Sequence, residues 1–228
     1  MKRKIAFIAA FLLYISSLVA QDVKIGLQTG YGFYNMTTLS SLTNDILQQL
    51  PFDAKIISNY PPYIYYQPRV IFSSNNLEYG FSYTFLTTGS RISSKDYSGE
   101  YKFDTSIDGN CLGFILGSKS NTFERFNFGY SLTMGVNFTT FKVMEILKID
   151  TSENSSDDNF SGTSLYIEPS INFTYAANKH FNIGADLTYS KDLYKLSSYE
   201  IPVKDNFYEV DMWDGFRMGI TLSYIIFK

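Results

Sequence analysis

The chain is predicted to fold as an eight-stranded antiparallel β-barrel, and three observations carry that expectation. Eight segments alternate apolar and polar residues with a period of two. Their connections alternate between short and long. Where the alternation is cleanest, the polar face consists of Gly, Ser, Thr and Asn, the small groups that fit a crowded eight-stranded interior, in place of the Lys and Glu of a solvated sheet face. Composition agrees. The chain has 228 residues, 18% aromatic and 18% charged, with a mean hydropathy of −0.09; that is one domain, too apolar for a disordered segment. Nothing beyond residue 20 approaches the roughly 18 apolar residues of a membrane-spanning helix. Cys111 is the single cysteine and His180 the single histidine, which excludes a disulfide scaffold and a His/Cys metal cluster of ordinary spacing.

In chain order, Lys2, Arg3 and Lys4 precede the apolar stretch Ile5 to Val19, which ends at Ala20. This is the pattern of a cleaved secretory signal, so residues 1–20 are expected to leave and residues 21–228 to form the barrel. Removal leaves 16 basic residues against 22 acidic ones, a net −6. An acidic product with no basic patch argues against nucleic acid.

The alternating segments fall at 22–34, 62–73, 77–89, 99–117, 122–145, 160–175, 181–195 and 211–227. Ser74-Asn75-Asn76, Ser118 to Asn121 and Ala176 to His180 join alternate pairs and read as hairpin turns. The other connections, Asn35 to Pro61, Ser90 to Ser98, Ile146 to Asn159 and Leu196 to Val210, are longer and more polar, so long loops and short turns fall on opposite rims. In the first long loop Met36, Leu39, Leu42, Ile46, Leu47 and Leu50 recur at helical spacing until Pro51. A short amphipathic helix packed on the barrel rim is expected there. Gln67-Pro68-Arg69-Val70-Ile71-Phe72 echoes Glu168-Pro169-Ser170-Ile171-Asn172-Phe173, as two strands in equivalent positions would.

Segment five shows the faces most clearly. Phe126, Phe128, Tyr130, Leu132, Met134, Val136 and Phe138 alternate with Asn127, Gly129, Ser131, Thr133, Gly135, Asn137 and Thr139. The apolar set is expected to point outward, which makes sense only against lipid. Phe33, Phe85, Phe138, Tyr189 and Phe216 then mark the long-loop edge of that band, and Phe72, Tyr79, Phe126, Tyr175, Phe181 and Tyr224 its short-turn edge, as two aromatic girdles. Segment four changes parity between Ile107 and Leu112, where a bulge at Asp108-Gly109-Asn110 would reset the faces.

With these features the chain resembles the small outer-membrane β-barrels of Gram-negative bacteria, such as the OmpA-type transmembrane domain. The last strand, Gly219 to Phe227, is similar to the C-terminal assembly signal of that class, although Lys228 follows where an aromatic usually ends the chain. The resemblance implies location in the outer membrane, a monomer surrounded by outer-membrane lipid, and long loops that meet extracellular partners.

No cofactor, metal or catalytic group is expected. His180 lies in a short turn on the periplasmic rim with no serine motif beside it, Cys111 reads as a small inward filler, and Asp150, Glu153, Asp157 and Asp158 lack a calcium-loop spacing. Three functions remain: a structural or surface-interaction barrel with a closed lumen, a narrow channel or transporter for small solutes, and a soluble lipocalin-like binding barrel. The first is favoured because eight strands leave an interior just filled by side chains. The expected filling is a charge network of Arg69, Glu78, Glu168, Asp186 and Arg217. Within it Arg69 is expected to pair diagonally with Glu78, and Glu168 to sit diagonal to Asp186 with Arg217 alongside.

Overall fold

A computed structural model describes residues 22–97, 99–121, 125–149, 152–197, 200–203, 206–209 and 213–227. The expected signal segment and Asp150 lie outside the described residues. Strand β1 (Asp22–Tyr34) leads into helix α1 (Thr37–Gln49), followed by β2 (Lys55–Asn59), β3 (Tyr63–Ser74), β4 (Leu77–Lys95), β5 (Gly99–Asn121), β6 (Phe126–Ile149), β7 (Ser152–Ala176) and β8 (Phe181–Ser197). A small hairpin, β9 (Glu200–Val203) and β10 (Asn206–Glu209), precedes the last strand, β11 (Gly215–Phe227).

Eight strands form a closed antiparallel ring in the order β4-β3-β1-β11-β8-β7-β6-β5, with β5 returning to β4. β2 pairs with β4 above the end of β3, so β2 and β3 act as one interrupted strand, bent where Tyr60, in a left-handed conformation at φ 45°, meets Pro61 and Pro62. The faces follow the alternation. Ile25, Leu27, Leu112, Phe114, Met134, Ile171, Leu187, Ile220 and Leu222 are exposed on the outside, whereas Gln28, Gln67, Thr84, Asn137, Asp186 and Thr221 are buried inside. A soluble binding barrel needs the reverse. Ring pairs stand at both edges of the outer band, Tyr189 with Phe216 at 4.8 Å above and Phe126 with Tyr175 at 5.0 Å below.

The turns correct the expected registers. Asn75, at φ 55°, allows a two-residue turn over Asn75 and Asn76, so Ser74 faces Leu77 and Ser73 faces Glu78, where the sequence placed Ile71 opposite Glu78. On the β7–β8 hairpin Tyr175 pairs with Ile183 and not with Phe181.

The echoing segments share a structural cause. Pro68 and Pro169 have no N–H to donate. The β3–β4 ladder accordingly skips from Tyr66–Phe85 to Arg69–Ser82, and the β7–β8 ladder from Ile167–Lys191 to Ser170–Thr188. β3 and β7 stand opposite each other in the ring.

The largest departure from the sequence reading lies above the membrane. Ser90 to Ser98 and Ile146 to Asn159, expected as loops, are mostly strand: β4 and β5 stay paired out to Lys95–Glu100, and β6 and β7 out to Ile149–Ser152. At 23, 24 and 25 residues, β5, β6 and β7 are more than twice the ~9–11 residues that cross a bilayer. The projecting parts, with β2, form an extracellular curtain on one side of the mouth. Cross-strand charges hold it: Arg91–Asp104 at 2.6 Å, Lys142–Asp108 at 3.2 Å and Lys148–Glu153 at 3.0 Å. The Glu153 hydrogen bond raises the Lys148 ammonium pKa above its ordinary value.

Helix α1 is seated inside the mouth, where the sequence reading had it on the rim. Leu39 and Leu42 are fully buried among Tyr65, Ile107, Phe141 and Trp213, a burial that contributes about 1.5–3 kcal/mol per side chain. Ile46, Leu47 and Leu50 pack on a second cluster, Ile92, Tyr101 and Phe103, on the curtain's inner face. This explains segment four without a bulge. The register of β5 is unbroken from Gly99 to Asn121. Its inward face is apolar where it covers α1 and becomes Gly109, Cys111 and Gly113 where it lines the narrow lumen.

Leu222→Arg places a charge on the lipid face and should lower folding stability by about 2–4 kcal/mol if Leu222 lies near the bilayer midplane. Ser223→Arg, pointing to the lumen, should cost less. Urea unfolding in lipid vesicles measures both, and equal losses would contradict the assignment of faces.

Candidate functional site

The lumen is the site that the ring constructs, and it has three levels. Nearest the short turns, Lys24 Nζ donates to Glu78 Oε1 at 2.6 Å, and Ser73 Oγ donates to the same oxygen at 3.2 Å. Lys24, Arg69, Glu78, Asn172 and Asn182 line a polar cavity of about 60 Å³ here, room for a few waters at most. Glu78 therefore pairs with Lys24 and not with Arg69. The shorter turn carries Glu78 two residues further from Arg69 along the β3–β4 ladder, beyond diagonal reach.

At the middle level Arg69 Nη2 lies 3.6 Å from Asp186 Oδ1 and donates to Thr221 Oγ1 at 2.9 Å, while Nη1 donates to Gln28 Oε1 at 3.4 Å. Thr221 in turn donates to Asp186, and Gln28 Nε2 donates to Tyr65 Oη at 2.7 Å. Above them Arg217 pairs with Glu168, both almost fully buried, and its guanidinium lies 5.1 Å from the centroid of the Tyr65 ring. A cation over an aromatic face is stabilised by the ring quadrupole. The expected acidic pair does not form. Asn172, four residues from Glu168, is the residue opposite Asp186, and each carboxylate has its own arginine.

The third level is an apolar stopper. Trp213 enters from the segment before β11 and lies against Gly109, where a Cβ would stand 2.9 Å from the indole nitrogen. Its Nε1 donates to Thr139 Oγ1 at 3.1 Å, its backbone N–H to Asp192 Oδ2 at 3.3 Å, and its ring meets Tyr34 edge-on at 4.8 Å. The next residue, Asp214, pairs with Lys191 and accepts from the Asp192 N–H at 2.8 Å. Trp213 and α1 together close the mouth.

Of the five residues expected in the lumen, the fold brings Arg217 to Glu168 and Arg69 to Asp186, and sends Glu78 to Lys24. Sequence reasoning placed Lys24 on the inward face but did not pair it. Gln28, Tyr65, Asp192 and Trp213 were missed; the available signal was their inward parity and, for Trp213, a lone indole just before a strand. Asn137, Tyr166, Asp192 and Arg217 each retain a buried polar atom with no protein partner. Such groups cost about 1–3 kcal/mol each when left unsatisfied, so the lumen beneath the stopper is suited to water and not to an apolar ligand. His180 Nδ1 lies 3.3 Å from the Ile225 carbonyl oxygen, with the ring stacked on Tyr224, in the expected short turn. Among the described residues no three His, Cys, Asp or Glu side chains are grouped so as to hold a metal ion.

Among solved structures the chain is similar to the outer membrane protein OprG from Pseudomonas aeruginosa. Identity is 16%, coverage 92% of this chain and 97% of that one, and the TM-score 0.45. It is similar also to Neisserial surface protein A, at 11% identity, 90% and 96% coverage and a TM-score of 0.43. The N-terminal β-barrel domain of Pseudomonas aeruginosa OprF aligns at 9% identity, 91% and 98% coverage and a TM-score of 0.38. No protein-family model matches the chain, and no curated protein matches it.

Arg217→Ala should destabilise the barrel by about 3–5 kcal/mol, because it strands a buried Glu168 carboxylate. Lys24→Ala should cost less, since the Lys24 and Glu78 side chains keep 11% and 21% of their exposure. Glu168→Gln in the Arg217→Ala background should recover much of the loss. Unfolding in detergent measures the cycle, and a neutral Arg217→Ala would remove the pair from its structural role.

Proposed function

We propose that this chain is a non-enzymatic outer-membrane barrel that holds its lumen closed and presents the curtain of β2 and β4–β7 to partners outside the cell. One observation carries the reading: the mouth is closed by an apolar stopper, α1 with Trp213, while the strands beside it run far beyond the membrane band. A closed lumen has no need of a tall wall, so the wall is the part available to partners. The outward apolar band supports membrane location, since in lipid only a closed ring or a helix satisfies every backbone group. The signal-like segment at residues 1–20 supports export, and outer-membrane lipid is then the surrounding solvent for a monomer.

A narrow channel is the second reading, and the unpartnered polar atoms beneath the stopper favour it. In planar bilayers the refolded protein should show no discrete conductance steps. Leu42→Asp with Trp213→Ala should produce them by loosening the stopper. A cysteine placed at Ser155 should react on intact cells with a maleimide that cannot cross membranes. Wild-type conductance would favour the channel, and an unreactive Ser155→Cys would overturn the proposed orientation.

A further inference from the structure

β7 remains paired with β6 all the way to Ser152, but its ladder with β8 begins only at Thr163. From Ser152 to Gly162 one side of β7 therefore has no strand beside it among the described residues. The β9–β10 hairpin does not fill the place: it pairs only with itself, and β10 packs beside α1. The result is a free strand edge about 35 Å long, at roughly 3.3 Å per residue, with its outward N–H and C=O groups unpaired in a ladder. Such an edge is a template for an added strand unless it is blocked.

The edge is not blocked by proline, by a bulge or by a covering loop. It carries charge of one sign. Glu153 and Asp157 fall on the curtain's outer face and Asp158 on the inner, opposite Lys148, Met144 and Val143 of β6. Glu153 is paired with Lys148, and the next cation on β6, Lys142, is committed to Asp108. Asp157 and Asp158 are exposed and have no cation within salt-bridge distance among the described residues. An antiparallel meeting of two copies along this edge would set these acids against each other, and like charges directly opposite are destabilising. The free edge of β2 is a poorer template, since β2 is five residues long and ends at the Tyr60 bend.

We propose that the β7 edge from Ser152 to Gly162 is a docking site for an extended, basic polypeptide segment, which adds to the curtain as a further strand. Backbone hydrogen bonds supply the attachment, and Asp157 and Asp158 select lysine or arginine side chains while excluding acidic strands and a second copy. The proposal rests on the reading that the curtain stands outside the cell, because only there does the edge meet foreign chains.

The test uses the full mature protein folded in detergent and a fluorescent peptide of alternating Lys and Thr long enough to span the edge. Saturable binding is expected, with little or none for the Glu-Thr counterpart. The same Lys-Thr sequence methylated at every backbone nitrogen keeps its charge but donates no hydrogen bonds, and should bind about tenfold more weakly or worse, as the loss of several edge bonds requires. Asp157→Lys with Asp158→Lys should reverse the preference between the two peptides. These exposed changes should leave the heat-dependent gel migration of the folded barrel intact, so a misfolded variant is recognised as such. Equal binding of the methylated peptide would reduce the effect to charge attraction and overturn strand addition. Absence of saturable binding, or binding indifferent to the charge reversal, would overturn the site. If the peptide binds as expected but Ser155→Cys is unreactive on intact cells, the edge stands and the orientation reading fails instead.

Discussion

In lipid there is no water to accept an unpaired backbone group, so a sheet with an outward apolar band must meet its own edge. Here that meeting is the antiparallel ladder between β1 and β11, which runs from Val23–Phe227 to Tyr34–Gly215. Other features follow from it. Closing eight strands sets a narrow interior, the narrow interior demands small or mutually neutralising side chains, and the two ends of the ring then differ in what fills them.

The interior is organised as charge below and grease above. Three arginine or lysine pairings with carboxylates occupy the part within the membrane band, each satisfied across strands that are distant in sequence: Lys24 with Glu78, Arg69 with Asp186 and Arg217 with Glu168. Above them, where the ring opens and lipid no longer constrains the wall, α1 and Trp213 fill the space with apolar side chains. The change from one regime to the other is visible along β5, whose inward residues pass from Tyr101, Phe103 and Ile107 to Gly109, Cys111 and Gly113 without any change of register.

Much of the barrel was legible because lipid facing imposes a strict rule of period two. Strands eight in number, their faces, the short turns and the inward polar set all follow from that rule. The curtain was not legible. Above the membrane both faces of β4–β7 meet water or α1, so Asp150 to Asn159 show no alternation. Pairing there is held by cross-strand contacts such as Lys148–Glu153, which no local pattern announces. Ion-pair partners failed for a related reason. A turn one residue shorter than assumed moves every facing pair by two along the ladder, which is enough to take Glu78 from Arg69 and to separate Glu168 from Asp186.

By itself, then, the sequence determined which residues face the bilayer and which face the lumen, since side-chain parity is a local property of an extended chain. Only the tertiary structure decided which charge meets which, that α1 enters the mouth instead of resting on the rim, and that β7 outruns β8. These depend on turn geometry and on the relative lengths of strands that are neighbours in space, quantities set by the closed ring and not by any single segment.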